Sequence, residues 1–393
     1  MPGPSVGNLR VFTCAPHFAV EPNRQAISTI IPSGPGRRIA KESIDSTLDI
    51  PSSVINQRVF LIKINRVSGF TIQLTSMKRN RIVLFVFVFS LATFATTVFG
   101  QALSGPFTSV YAFGDSLSDA GNVYAATGFT SPLPAFYTDG TTTGRFTDGL
   151  NWVDFSSQRY GLGASIPSEL GGNNFAWGGA MTGTGFSGSG TPNVGTQIQQ
   201  FVAAQGAFPA NSLIALWAGA NDYLWGGSQN PAGVVDNLLG HLEQLRTLGG
   251  SHFVVVNLPD LAETPVAKGS FNEAGLSALH TLVNTHNSLL AAGVASFRMN
   301  HPDISVLEVD AFSMMNALIA DPAAYGLTNV TSPVYTGSFS SPGVIVGDPA
   351  TYLFFDVLHP TAVTHGFIAI PEPAHFGFVL LVAVWLMAIR RRR

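Results

Sequence analysis

The chain has 393 residues, of which 46% are hydrophobic and 11% are charged, and its formal net charge is −3. Residues 103–370 carry 18 acidic and five basic side chains, which gives this region a net charge of −13. So acidic a region argues against nucleic acid as a partner, because phosphate binding depends on Lys and Arg. The single cysteine, Cys14, lies outside this region, so its core must be stable without disulfides.

A secretory signal peptide is predicted at residues 77–102. Basic residues follow Met77, an apolar run occupies positions 82–89, and small residues close the segment, which is the order typical of such signals. Cleavage after Gly100 and cleavage after Ala102 both fit this pattern. The implied partner is a Sec-type export machinery.

Residues 1–76 precede that signal, although signals of this kind act at an N-terminus. We therefore expect that the native chain starts at Met77. Residues 1–76 are then a mis-called or disordered N-terminal extension. A small extra domain in the same residues is the alternative.

Short apolar runs alternate with helical stretches in the region 103–369. The runs are bounded and mostly continuous, which is typical of strands buried on both faces of a sheet. The predicted strands are 110–113, 213–217, 253–256 and 304–309, and the predicted helices are 151–160, 194–205, 232–248 and 272–298. This alternation predicts an α/β fold with a parallel sheet, whose chemistry collects at the carboxyl ends of the strands.

Four short motifs hold the residue types that ester hydrolysis needs, and three of them lie at or near strand ends or in later loops. They occupy residues 114–122, 174–180, 219–222 and 356–360. In this order they offer a serine on a tight turn, a glycine N–H, an asparagine amide, and a carboxylate three residues before a histidine. A covalent acyl-enzyme needs a nucleophile, a base, an orienting acid and donors for the oxyanion.

The first motif, Gly-Asp-Ser-Leu-Ser-Asp-Ala-Gly-Asn at 114–122, resembles the first block of the GDSL or SGNH hydrolases, especially their lipase and phospholipase-like branch. The resemblance covers about residues 108–368 and implies a three-layer α/β/α, flavodoxin-like SGNH hydrolase fold with a mostly parallel central sheet. It also implies that Ser116 is the nucleophile and that its backbone N–H joins the oxyanion hole. The Gly-x-Ser-x-Gly pentapeptide of ordinary α/β-hydrolases does not occur in the chain.

The later motifs imply the other site residues. Gly179 matches the oxyanion glycine of the family, and Gly178 is the competing assignment. Asn221 matches the third oxyanion donor, although an Asx turn that closes the strand would use the same side chain. Asp356 and His359 match the acid and the base, and their spacing of three places the carboxylate beside the imidazole.

The sequence therefore predicts an exported serine esterase or lipase that hydrolyses carboxylic esters of a lipid or an acylated sugar. The intermediate is an acyl-serine, and the triad is Ser-His-Asp. No metal or other cofactor is expected, because no His/Cys/Asp/Glu cluster has ligand spacing. Deacylation of an extracellular polysaccharide is one alternative. A non-catalytic protein that binds a surface or matrix, on the same fold, is the other.

Aromatic side chains in the loops 123–143 and 326–352 are candidates for an apolar acyl groove. They are Phe136, Tyr137, Tyr335 and Phe339. Lone surface aromatics would produce the same pattern.

The C-terminal segment, residues 370–393, combines Pro-Glu-Pro, an apolar stretch and four arginines. Sixteen helical residues span about 24 Å, somewhat less than the roughly 30 Å of the hydrocarbon core. The segment resembles the PEP-CTERM sorting signal of Gram-negative bacteria that make extracellular polysaccharide. This resemblance implies transient membrane anchoring, an exosortase-type processing enzyme as a partner, and a final location at the cell envelope, outer surface or extracellular matrix. An ordinary C-terminal anchor helix is the alternative.

Overall fold

The computed structural model describes residues 107–369. The predicted N-terminal extension (1–76), signal peptide (77–102) and sorting segment (370–393) lie outside the described residues. Within 107–369, no helix combines the length and the apolar character that crossing a bilayer requires.

Four parallel strands form the central sheet, and they lie side by side in chain order. They are β1 (Ser109–Gly114), β2 (Ser212–Trp217), β3 (His252–Val256) and β4 (Ser305–Val309). On the outer edge of β1, Asn174 forms a parallel bridge with Ala112. If that segment is counted second along the chain, the spatial order is 2-1-3-4-5, the order of flavodoxin-like sheets. All four predicted strands are confirmed.

Nine α-helices accompany the strands in the described part of the chain. They are α1 (Asn122–Ala126), α2 (Trp152–Arg159), α3 (Val194–Ala204), α4 (Ala220–Leu224), α5 (Pro231–Thr247), α6 (Pro265–Ser270), α7 (Glu273–Asn300), α8 (Ala311–Ala320) and α9 (Ala362–Ile368). The four predicted helices are confirmed as α2, α3, α5 and α7.

Both faces of the sheet are covered because successive side chains of each strand point to opposite sides. On one face, buried residues of β1 to β4 pack against α3, α5 and α7, as Phe113 does with Phe201 of α3 and Leu238 of α5. On the other face, alternate residues pack against α2 and α9, as Ala112 does with Trp152 of α2. Three layers result, and the predicted α/β fold with a mostly parallel central sheet is confirmed.

Several elements of the described chain were not predicted, among them one longer helix and one pair of strands. The helix α8 has the sequence Ala-Phe-Ser-Met-Met-Asn-Ala-Leu-Ile-Ala, which is apolar on most sides and therefore lacks helical periodicity. The strands β5 (Asn329–Pro333) and β6 (Tyr352–Phe354) form a separate parallel pair. Both are short, and β5 is half exposed, so neither has an apolar run long enough to indicate a strand.

The end of β1 requires a glycine. A Cβ added at Gly114 would lie 2.1 Å from the carbonyl oxygen of Trp217 at the end of β2, and φ at this glycine is 155°. The side chain of Gln197 in α3 satisfies both backbone groups of Gly114, at 2.9 Å and 2.8 Å. These contacts bring the loops after β1 and β2 together at one edge of the sheet.

Candidate active site

Three side chains form a continuous hydrogen-bonded chain at the carboxyl end of the sheet. Ser116, which lies directly after β1, has its Oγ 2.8 Å from Nε2 of His359. On the other side of the ring, Nδ1 of His359 lies 2.8 Å from Oδ2 and 3.0 Å from Oδ1 of Asp356. Serine and histidine are 243 residues apart in sequence, and all three residues are buried. This is the arrangement in which imidazole accepts a proton from a serine hydroxyl.

The carboxylate of Asp356 is almost fully engaged. Its Oδ1 accepts the backbone N–H groups of Leu358 and His359, at 2.8 Å and 2.7 Å. Its Oδ2 accepts the hydroxyl of Tyr137 at 2.7 Å. Burial raises the pKa of Asp356, but the charge and the hydrogen bonds of His359, with that from Leu358, outweigh it and hold the pKa below its ordinary value. Asp356 is therefore held as a carboxylate.

The turn that presents His359 is tied to the segment before α2. Thr147 donates its hydroxyl to the carbonyl of Pro360 at 2.9 Å, and Asp148 accepts the N–H of Ala362 at 2.7 Å. Within the turn, the N–H of Phe355 donates to the carbonyl of His359 at 2.8 Å. These hydrogen bonds hold the turn that carries the imidazole of His359.

Polar side chains of the first motif tie it to the second. Asp119 accepts the N–H groups of Gly121 and Asn122 at 2.7 Å and 2.6 Å, and that of Gly178 at 2.9 Å. The amide of Asn122 donates to the carbonyls of Asn174 and Ala176, both at 2.8 Å. The loop that carries Ser116 and the loop that carries the two candidate oxyanion glycines are thereby held as one unit.

The two candidate oxyanion glycines differ in their hydrogen bonding. The N–H of Gly178 is engaged by Asp119, whereas among residues 107–369 the N–H groups of Gly179 and Ser116 have no acceptor. Gly179 has φ of 80°, and a Cβ there would lie 2.9 Å from Oγ of Ser189. A glycine with a free N–H at this conformation is a suitable oxyanion donor.

Asn221 lies in α4, the short helix that follows β2. Its Nδ2 donates to the carbonyl of Ala180 at 2.9 Å, which leaves the second amide hydrogen for another acceptor. Its Oδ1 accepts no backbone N–H in the described part of the chain, so the alternative of an Asx turn has no support there. Ser116, Asn221 and His359 line one pocket, and Asn221 contacts Ala180, the residue after Gly179.

The position of the next residue, Asp222, in its motif indicates a cap on the following segment. In the structure its side chain does not cap that segment. Its carboxylate accepts the N–H and the hydroxyl of Thr182, at 3.0 Å and 2.8 Å. It therefore joins the loop after Gly179 to α4.

An apolar pocket adjoins the serine. Side chains of α8, β6 and α9 line it beside Ser116, Asn221 and His359, and they include Met314, Met315, Leu318, Leu353, Phe354 and Ile368. Asp115 also lines this pocket. Burial raises the pKa of Asp115 to about 7, against the lowering effects of the Leu117 N–H and of His359.

The predicted aromatic groove is wrong for two of its four residues. Tyr137 and Tyr335 are 0% exposed and belong to a buried cluster with Phe355 behind Asp356, so they cannot line a groove. Phe136 is half-buried against the same cluster, whereas Phe339 is 48% exposed and lies near Phe146. No local signal connects position 137 with Asp356, because the two residues are 219 positions apart in sequence.

Two other histidines of the described chain are buried on helices. His286 is buried on α7 beside Tyr223, and His365 is buried on α9. Burial lowers the pKa of His286 to about 4 and that of His365 to about 3, so both are neutral at pH 7. No group of three or more His, Cys, Asp or Glu residues within 107–369 is placed to hold a metal ion.

Comparison with known proteins places these features in a family. The model of the family "GDSL-like Lipase/Acylhydrolase" matches residues 110–371. A phosphatidylcholine-sterol acyltransferase of Aeromonas hydrophila is 27% identical over 267 residues, which cover 64% of this chain and 73% of that protein. The secreted effector protein SseJ of Salmonella typhimurium is 27% identical over 276 residues, which cover 68% of this chain but 63% of SseJ.

Two further similarities have lower sequence identity. An acetylesterase of Thermothelomyces thermophilus is 25% identical over 236 residues, which cover 56% of this chain and 76% of the relative. Among solved structures, a member of the lipolytic G-D-S-L family from Veillonella parvula is 14% identical, with a TM-score of 0.35, over 66% of this chain and 93% of that one. With a family model matching most of the chain, the protein belongs to the GDSL-like lipase/acylhydrolase family and is a carboxylic ester hydrolase.

Proposed function

We propose that this protein is an exported serine esterase or lipase that works through an acyl-serine intermediate. Ser116 is the nucleophile, His359 the general base and Asp356 the acid that orients His359. The observation that carries the proposal is the unbroken hydrogen-bonded chain from Ser116 Oγ through His359 to Asp356, with 2.8 Å at both ends of the imidazole.

The proton transfers use the contacts of His359 with Ser116 and Asp356. His359 Nε2 takes the hydroxyl proton as Ser116 Oγ bonds to the ester carbonyl carbon, and Asp356 stabilises the imidazolium that forms. The imidazolium then returns the proton to the leaving alcohol, and the acyl group stays on Ser116. Water, deprotonated by His359, then attacks the acyl-serine, the bond between the acyl carbon and Ser116 Oγ breaks, and His359 returns the proton to Oγ as the carboxylic acid leaves.

Three N–H donors stabilise the negative charge on the carbonyl oxygen in this proposal. They are the backbone N–H groups of Ser116 and Gly179 and the second amide hydrogen of Asn221. Their support is that none of these three hydrogens has an acceptor within 107–369. Donors that are held in place before the reaction cost no reorganisation when the charge develops.

The apolar pocket beside Ser116 supports an acyl group as the part of the substrate that is buried. Its lining from α8 and α9 offers no charge to a sugar hydroxyl, and Asp115 is the one titratable group there besides the triad. The name of one relative specifies a phosphatidylcholine and that of another an acetyl ester, so the acyl groups named differ widely in size. We therefore propose a lipid-like or simple ester before an acylated polysaccharide.

Export is the second part of the proposal. Its support is the order of basic, apolar and small residues at 77–102 and the Pro-Glu-Pro, apolar and arginine order at 370–393, which resembles a PEP-CTERM signal. SseJ, a relative by sequence, is named as a secreted protein. A Sec-type machinery would export the chain, and an exosortase-type enzyme would process its C-terminal segment at the cell envelope.

Hydrolysis of p-nitrophenyl esters of graded acyl length, with acetylated sugars in the same panel, tests the proposed activity. We expect hydrolysis that depends on Ser116, so that Ser116→Ala falls to the background rate. Release of acetate from sugars with no p-nitrophenyl ester hydrolysis would favour the polysaccharide deacylase. Equal background rates for wild type and Ser116→Ala would favour the non-catalytic protein.

A further inference from the structure

Tyr137 holds a position that the mechanism above does not use. It lies between α1 and α2, 0% exposed, in a cluster with Tyr335 and Phe355. Its ring meets those of Tyr335 and Phe355 edge to face, with centroids 5.7 Å and 4.9 Å away. Its hydroxyl, 2.7 Å from Asp356 Oδ2, is the only polar atom that the side chain brings into this apolar cluster.

The hydrogen bonds on Asp356 show what that hydroxyl does. Oδ1 accepts two backbone N–H groups from its own turn. These two hydrogen bonds do not depend on Tyr137. Oδ2 is the nearer oxygen to His359 Nδ1, and its one other donor is Tyr137. Tyr137 and His359 therefore share one oxygen, and each donor reduces the charge available to the other.

We propose that Tyr137 is a positioning residue of the triad, which holds Asp356 Oδ2 toward His359 and tempers the basicity of that carboxylate. The proposal deepens the proposed function and rests on it, since Asp356 affects the rate only if His359 is the base. Burial raises the pKa of the Tyr137 hydroxyl far above its ordinary value, and the charge of Asp356 raises it further, so the hydroxyl stays a donor.

Other titratable groups face this pair. Asp115 and His365 interact electrostatically with His359, and Tyr335 does so with Asp356. Asp222 acts on Asp115 in turn. All of them remain when Tyr137 is changed to phenylalanine, so a difference between wild type and that variant reports the single hydroxyl.

The matched pair of variants is Tyr137→Phe and Tyr335→Phe. Both lose one hydroxyl from the same buried cluster and keep the ring, but the Tyr335 hydroxyl donates to the backbone carbonyl of Ser341 at 3.1 Å and not to Asp356. In Tyr137→Phe we expect kcat to fall about ten-fold with KM nearly unchanged, because a hydrogen bond to a charged group is lost. Tyr335→Phe should retain kcat within about two-fold, because it loses a hydrogen bond to an uncharged carbonyl that does not involve Asp356.

The second readout is the pH dependence, which a merely structural hydroxyl would not change. Without the tyrosine donor, Asp356 attracts the imidazolium of His359 more strongly, so the acid limb of kcat/KM should move up by about half to one pH unit. An acid limb at the wild-type position, or an equal shift in Tyr335→Phe, would overturn the proposal.

The titration is also measured without turnover, by NMR of the full chain labelled at histidine Cε1, with the His359 signal assigned from its loss in His359→Asn. The midpoint of that signal should rise in Tyr137→Phe and stay constant in Tyr335→Phe. Incorporation of 3-fluorotyrosine at position 137, a stronger donor with the same ring, should move the midpoint in the opposite direction, and it tests the proposal even if Tyr137→Phe folds poorly. If the His359 midpoint is unchanged both in Tyr137→Phe and in the 3-fluorotyrosine protein, the role of Tyr137 is refuted. If the midpoints change but the wild type hydrolyses no ester, the proposed function alone is refuted.

Discussion

Gly178 and Gly179 are neighbours in the chain, yet their N–H groups have different surroundings. Asp119 engages the first, and no acceptor within the described residues engages the second. An N–H that already donates to a buried carboxylate is not available to an oxyanion, so the geometry favours Gly179 as the donor. Gly178 instead packs closely against Phe146, because a Cβ there would lie 2.5 Å from the ring of Phe146.

The oxyanion role of Asn221 leads to a prediction at the same scale. Asn221→Ala removes the second amide hydrogen, which has no acceptor within 107–369, and the hydrogen bond to Ala180. We expect kcat to fall by about two to three decades, since the loss of one oxyanion donor raises the barrier by roughly 2.7–4 kcal/mol in comparable sites. Steady-state kinetics on a p-nitrophenyl ester measures this effect.

Asn237→Ala is the control for that measurement. Its amide donates to Oγ1 of Thr182 at 3.1 Å, in the loop that Asp222 also holds, and it does not line the pocket. It should lose a similar side-chain hydrogen bond with little effect on kcat. A near-normal rate for Asn221→Ala would remove Asn221 from the mechanism, and a rate loss of two decades in Asn237→Ala would show that loop stability explains both.

Helix α2 illustrates how an element supports the site from a distance. Asn151 caps it, with its side-chain oxygen accepting the N–H groups of Val153 and Asp154, and Asp154 accepts the N–H of Asn151 in return. The amide of Asn151 also donates to the carbonyl of Asp119 at 3.0 Å. One side chain therefore begins the helix and anchors the loop that presents Ser116.

The cap predicts unequal effects for two similar substitutions. Asn151→Ala should lower the free energy of unfolding by about 2–3 kcal/mol, because it removes a cap and a buried hydrogen bond. Asn272→Ala, at the exposed start of α7, removes a cap alone and should cost about 1 kcal/mol. Denaturant unfolding followed by circular dichroism measures both. Equal losses would mean that the contact with Asp119 adds no stability.

The stability of the whole molecule in acid depends on buried groups that are neutral in the folded state. His286 is 0% exposed, the hydroxyl of Tyr223 lies 2.8 Å from its Nδ1, and its Nε2 has no partner among residues 107–369. Burial lowers its pKa to about 4 from an ordinary 6.5. The unfolded chain therefore binds this proton first, and stability present above pH 6.5 is lost as the pH falls toward 4.

His286→Gln tests this linkage, since glutamine retains a partner for Tyr223 without a titrating ring. Between pH 7 and 4.5, the wild type should lose about 2 kcal/mol more unfolding free energy than the variant. Asp115 and Asp119, whose pKa values burial raises to about 7 and about 6, act in the opposite direction, but they are common to both proteins. Equal pH slopes for wild type and His286→Gln would contradict the prediction.

Features that depend on neighbouring residues in the chain could be predicted from the sequence, and features that depend on contacts between distant segments could not. The strands β1 to β4 show as local apolar runs and the helices α2, α3, α5 and α7 as local periodicity. Asp356 and His359 lie within one turn, so short segments sufficed for these features. The helix α8 was not predicted, because it is apolar on most sides and packs against α9 and β6 as part of a pocket. The pocket is therefore a product of packing that no single segment indicates.

What the amino-acid sequence determined by itself was the class of chemistry and the layered α/β fold, because residue types in short motifs and the alternation of apolar runs are local properties. Only the tertiary structure decided the surroundings of those residues. It placed Tyr137 on Asp356 and buried Tyr335 beside it, although both were expected in a substrate groove. Among the residues that the structure describes, it also left the N–H of Gly179, and not that of Gly178, without an acceptor. Such decisions depend on contacts between segments tens to hundreds of residues apart, which form only when the chain folds.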